Sequence, residues 1–116
     1  MPVAPAPFVQ LTAAFRGVPA EQLRDAGALS GLMIAAAGAA GFTTVGSPVV
    51  RQMPTEGVAA ILLLDGCHMS LHAFPDRELL LLDILTLGTR DVRKALDVFT
   101  RRIQSAAPRS EIKPRG

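Results

Sequence analysis

The chain has 116 residues and a mass of 12.2 kDa, is 49% hydrophobic and 19% charged, and carries a net charge of +2. Its length argues against a second domain and its positive mean hydropathy against disorder, so a single globular domain over residues 1–116 with a small core is expected. Five Phe and no Trp or Tyr make that core aliphatic and leave no aromatic platform on which nucleic acid bases would stack. Charge is unevenly placed: residues 1–89 carry four basic and seven acidic groups, residues 90–116 eight and three. That basic end reads as a solvated helix face plus a loose tail, since a nucleic-acid surface would spread its basic residues across the fold. The sole cysteine, Cys67, precludes an intrachain disulfide and fits a reducing cytoplasm. The longest apolar run, Gly31 to Phe42, is twelve residues, short of the roughly eighteen of a membrane span. Pro2, Pro5 and Pro7 predict an extended leader, with residues 1–7 and 114–116 as flexible ends.

In chain order, Phe8 to Arg16 reads as a strand ended by Gly17 and Pro19. Ala20 to Arg24 makes a short helical turn, and Asp25 caps a longer helix to about Ala40, with Gly41 where a left-handed terminating residue is wanted. Phe42 to Gln52 reads as a second strand bent at Gly46 and Pro48. Val58 to Asp65, Cys67 to Phe74 and Glu78 to Thr86 follow as a meander, with Pro75-Asp76-Arg77 as a turn. The last of these, Leu79 to Leu85, is apolar on both faces, so a sheet with helices on one side leaves a face wanting a partner, most economically a second copy. Val92, Ala95, Leu96, Phe99 and Ile103 share a helical stripe in a helix from Asp91 to about Ala106, stopped by Pro108. Ser110 to Lys113 adds a short edge strand. The expected fold is α+β: a two-layer sandwich of an antiparallel sheet with two main helices packed on one face.

Chemistry concentrates in Cys67-His68-Met69-Ser70-Leu71-His72, which holds the only thiol and both histidines. Three candidate ligands fall short of a closed tetrahedral zinc site, so no metal is expected. Strand alternation puts His68, Ser70 and His72 on one face and Cys67, Met69 and Leu71 on the other, so a Cys-His hydrolase pair would need a bend next to Gly66. On spacing alone, Cys67 reads equally well as a small buried hydrophobe.

The stretch Gly57-Val58-Ala59-Ala60-Ile61-Leu62-Leu63-Leu64-Asp65-Gly66-Cys67-His68-Met69-Ser70-Leu71-His72-Ala73-Phe74-Pro75-Asp76 resembles the signature of the prokaryotic S-adenosylmethionine decarboxylases. That signature reads Gly-Val-Ser-Gly, an aliphatic run, then Glu-Ser-His-(apolar)-Ser/Thr-Ile-His-Thr-(aromatic)-Pro-Glu. Leu82-Asp83-Ile84-Leu85-Thr86-Leu87-Gly88 resembles the family's Asp-(apolar)-Phe-Thr-Cys-Gly. The likeness covers about residues 8–113 and is strongest over 57–95. It implies a homodimeric proenzyme that cuts its own chain and converts the residue after the cut into a pyruvoyl group. This ketone takes the substrate amine and serves as an electron sink while carboxylate departs. The cut falls between Gly66 and Cys67, with Cys67 in place of the family's serine. A thiol can make the same acyl shift through a thioester, and Gly66 leaves room for the bend.

The resemblance assigns His72 as the processing histidine, keeps its neighbour His68, and gives Met53, Ser70 and Asp76 as substrate-binding positions. The chain departs from the pattern at four places. Leu87 stands where the family has a proton-donating cysteine, and Ala59 where it has the assisting serine. Met53 replaces an aromatic, and Gly66 the glutamate before the cut. Three readings arise. One is a divergent pyruvoyl-dependent decarboxylase of S-adenosylmethionine or another amino acid, serving polyamine (spermidine) biosynthesis. Another is an unprocessed, inactive homologue acting as a binding or regulatory subunit. The last is an unrelated α+β protein with a coincident motif.

Overall fold

The computed structural model describes residues 6–116; residues 1–5 of the expected leader, including Pro2 and Pro5, lie outside the described residues. The elements run β1 (Phe8–Arg16), α1 (Ala20–Arg24), α2 (Ala26–Ala39), β2 (Val49–Gln52), β3 (Val58–Leu64), β4 (Cys67–Phe74), β5 (Leu79–Leu87), α3 (Val92–Arg102) and β6 (Arg109–Arg115). All strand pairs are antiparallel and the sheet order is β2-β3-β4-β5-β1-β6. Three tight connections make β2 to β5 the expected meander, and β1 returns between β5 and β6. No helix among the described residues is long and apolar enough to cross a membrane.

The core lies between the sheet and α2 and α3. Alternation sends Leu11, Ala13 and Phe15 of β1, Met69 and Leu71 of β4, and Leu80, Leu82 and Ile84 of β5 to the helix side. Leu29, Met33 and Ala36 of α2 and Ala95 and Phe99 of α3 close over them. Phe15 and Phe99 are fully buried with ring centroids 6.5 Å apart. Phe99→Ala is therefore expected to cost about 3–5 kcal/mol, read as a lower denaturant midpoint at unchanged slope. A loss under about 1 kcal/mol would show that this pair does not anchor α3 to the sheet.

Asp25 caps α2 by accepting from the Ala28 N–H at 3.0 Å, and Gly41 follows the helix at φ 70°. The second strand is shorter than expected. Only Val49–Gln52 pairs with β3, while Thr44 makes an isolated bridge to Leu64. Gly46 at φ 75° turns the chain out of strand geometry between them. Helix α3 ends at Arg102 rather than Ala106. The Gln22 side chain donates to the Arg102 carbonyl at 2.8 Å and accepts from the Gln104 N–H at 3.0 Å, satisfying groups a helix end leaves open. Pro108 is thus not what stops it. The final strand is longer than Ser110 to Lys113: Pro114 and Arg115, expected in a flexible tail, pair with Val9 and Phe8. A proline is tolerated there because β6 is an edge. Pro7, also expected to be flexible, accepts at its carbonyl from the Gly88 N–H at 2.8 Å.

Candidate active site

Strands β3 and β4 are joined by the two-residue turn Asp65-Gly66, closed by the pair Leu64↔Cys67. Gly66 sits at φ 74°, where a side chain is strained, and a Cβ there would meet nothing within 4 Å. The turn is held from behind: the Asp65 N–H donates to the Thr43 carbonyl at 2.9 Å. Cys67 is the first residue of β4 and faces the helices, 7% exposed. Continuing the β4–β5 register past His68↔Leu85 brings Cys67 level with Thr86 and Gly66 level with Leu87. Thr86, 4% exposed, is the one buried polar residue among the described residues. Beside the turn, Asp65, Thr86, Leu87 and Arg90 help line a cavity of about 30 Å³, enough for one water.

The opposite face of the sheet carries no helix. Ala59 and Ile61 of β3, His68, Ser70, His72 and Phe74 of β4, and Leu79, Leu81, Asp83, Leu85 and Leu87 of β5 line it. Met53, Ala59, Ile61, His68, Ser70 and His72 surround a shallow groove of about 400 Å³. Next to it, Ser70, His72, Leu81, Asp83, Thr12, Arg109 and Glu111 border a second groove of about 680 Å³. His68 Nε2 lies 3.3 Å from Asp83 Oδ2, and Gln10 Nε2 donates to Asp83 Oδ1 at 3.0 Å. The His72 ring stacks on Phe74, centroids 6.4 Å apart and planes 18° from parallel. Ala59 faces His72 across the β3–β4 ladder.

The structure thus gathers Met53, His68, Ser70 and His72 on one groove and leaves three expected site residues away from it: Gly66 at the hairpin tip, Cys67 and Asp76. Cys67 points to the other side of the sheet, as strand alternation requires. Five residue steps along the strand, about 16.5 Å at 3.3 Å per step, separate it from His72. Asp76 stands exposed in the short 3-10 turn Pro75–Arg77, beyond the far end of β4. Asp83 is not among the expected site residues. The available signal was a lone carboxylate inside the apolar run Leu79-Leu80-Leu81-Leu82-Asp83-Ile84-Leu85. Among the described residues no cluster of three or more His, Cys, Asp or Glu could hold a metal ion.

The sequence profile of S-adenosylmethionine decarboxylase matches residues 9–116. The chain belongs to the S-adenosylmethionine decarboxylase family. It is 37% identical over 76 residues to an S-adenosylmethionine decarboxylase proenzyme of Archaeoglobus fulgidus, covering 65% of this chain and 67% of that protein. It is 39% identical over 82 residues to the proenzyme of Brevibacillus brevis, covering 70% of this chain and 61% of that one. With the proenzyme of Symbiobacterium thermophilum the identity is 35% over 78 residues, 67% of this chain and 58% of the relative. The matched stretch therefore spans about three fifths to two thirds of these relatives' own length. The crystal structure of the adenosylmethionine decarboxylase from Aquifex aeolicus superposes with a TM-score of 0.86, covering 97% of this chain and 93% of that one at 23% identity. At that identity the superposition speaks for the fold.

Proposed function

We propose that this chain is a self-processing, pyruvoyl-dependent decarboxylase acting on S-adenosylmethionine, with Cys67 as the residue that becomes the pyruvoyl group, and that its product feeds polyamine (spermidine) synthesis. The observation that carries this reading is the placement of the Gly66–Cys67 peptide at a hairpin tip, in a left-handed turn with open space around it. Breaking that bond removes no ladder pair: β3 stays paired to β2 and β4, and β4 to β5. The residues fit the group, because a nucleophilic side chain directly follows a glycine, which has no Cβ of its own and at which an added one would meet nothing within 4 Å.

The chemistry balances within the chain. Sγ of Cys67 attacks the Gly66 carbonyl carbon, the C–N bond breaks, and a thioester with a free amine results. Loss of the Cα proton then breaks the Cβ–Sγ bond, leaving a thiocarboxylate on Gly66 and a dehydroalanine whose hydrolysis releases ammonia. Once formed, a pyruvoyl ketone supplies an electron sink for decarboxylation of a bound amino acid. The open-face groove contributes binding: Met53 and Ile61 offer apolar contact, and Ser70 a hydroxyl. Asp76, outside the groove, would need to be brought to it by movement of its turn or by a second copy.

The same geometry supports a second copy. His72 lies too far along β4 to serve Cys67 of its own chain, whereas the uncovered face presents Ile61, Leu63, Leu81 and Phe74, each more than a third exposed. A homodimer formed through this face would cover them and give the partner's His72 access to the hairpin end. Co-expressing Cys67→Ala with His72→Ala tests this: cleavage of the His72→Ala chain, absent when either variant is made alone, is the expected outcome. Absence of cleavage in the mixture would remove the shared site.

The activity itself is read by release of carbon dioxide from carboxyl-labelled S-adenosylmethionine. Borohydride in the presence of substrate should stop it by fixing the substrate to the fragment that begins at residue 67. A chain that stays uncut and binds a protein partner would instead support the inactive-subunit reading.

A further inference from the structure

We propose that Asp83, itself held by Gln10, is a positioning residue that fixes the His68 ring and through it the start of β4. The three groups lie on three adjacent strands and on one face of the sheet: Gln10 on β1 and His68 on β4 are both level with Leu85 of β5, and Asp83 is two residues along β5 and reaches both diagonally. An ionised carboxylate only accepts, so Nε2 of His68 donates to Oδ2 at 3.3 Å while Gln10 Nε2 donates to Oδ1 at 3.0 Å. Both oxygens are engaged, which restricts rotation of the carboxylate. In the neutral ring this contact selects the Nε2–H tautomer, which leaves Nδ1 as the acceptor.

This arrangement matters because of where His68 lies. It is the second residue of β4, immediately after Cys67. A strand cut at Gly66–Cys67 would begin at residue 67, and new chain ends fray unless tied down. The backbone ladder ties it on both sides, and the His68–Asp83 bond adds a side-chain tie to β5, whose own end, Leu87, lies level with Gly66. In the uncut chain the turn already holds this end, so the tie counts most after cutting. Its effect on catalysis rests on the decarboxylase reading above; its effect on His68 does not.

Asp83→Asn keeps the shape but leaves one acceptor oxygen for two N–H donors, and Asp83→Val removes both bonds should the amide retain the histidine. The chain has only two histidines, so ¹⁵N-histidine NMR resolves each ring, with His72→Gln supplying the assignment. The expected result is a single Nε2–H form of His68 in the parent protein and a mixed tautomer in at least the valine variant. Amide exchange at residues 68–70 should rise by about tenfold while residues 80–82 stay protected. In a self-cutting protein, kcat should fall about ten- to hundredfold while the cutting rate stays within about twofold. An unchanged His68 ring in both variants overturns the proposal, and so does an equal loss of cutting and turnover, which is the mark of a merely structural residue. If the parent chain never cuts, the decarboxylase reading fails, and the ring and amide measurements alone still decide the role of Asp83.

Discussion

Cys67→Ala is expected to give a folded, unbroken chain with no ketone and no decarboxylase activity, a loss of at least about 10³-fold, because the nucleophile and the atoms of the cofactor are removed together. The fold should survive. Cys67 is a small side chain at the edge of the core, and truncating a group of that size leaves little cavity. Cys67→Ser is the informative companion, since a hydroxyl can make the acyl shift through an ester and should also cut. Fragment masses on denaturing gels, hydroxylamine reactivity and labelled carbon dioxide release check all three properties. An alanine variant that still cut or still decarboxylated would take Cys67 out of the chemistry.

Leu87→Cys is expected to raise decarboxylation by about 10²–10⁴-fold, the usual worth of a positioned proton donor. Leu87 is 42% exposed at the end of β5 and level with Gly66 by register, so a thiol there would stand beside the end of the chain that carries the reacting group. The aliphatic side chain it replaces has no proton to deliver. Steady-state kinetics should show the gain in kcat with little change in KM, since the substitution adds a group that acts in the transition state and not one that binds substrate. No gain would mean that a missing acid at this position is not what limits the reaction.

Much of this architecture could be read from local pattern. The 3.6-residue stripe of Val92, Ala95, Leu96, Phe99 and Ile103 and the period-two alternation of Cys67–Phe74 each point to one element and one buried face. The places that could not be read this way depend on residues far apart in the chain. Helix α3 stops at Arg102 because Gln22, eighty residues earlier, takes its end. The paired length of β6 depends on β1, a neighbour no local spacing reveals. The site divides in the same way. His68, Ser70 and His72 share a face because alternation requires it. Asp83 joins them only through the β4–β5 register, and Gln10 only because β1 lies beside β5. The position of Leu87 beside the hairpin tip likewise comes from register and not from its distance in sequence to Cys67.

The mass of the purified protein, taken at once and after long incubation, tests most directly whether the chain makes its own cofactor. The expected result is two fragments, residues 1–66 ending in a thiocarboxylate that slowly hydrolyses to carboxylate, and residues 67–116 beginning with pyruvoyl in place of cysteine. A single chain of unchanged mass with a free thiol would contradict self-processing at Gly66–Cys67 and with it the proposed decarboxylase.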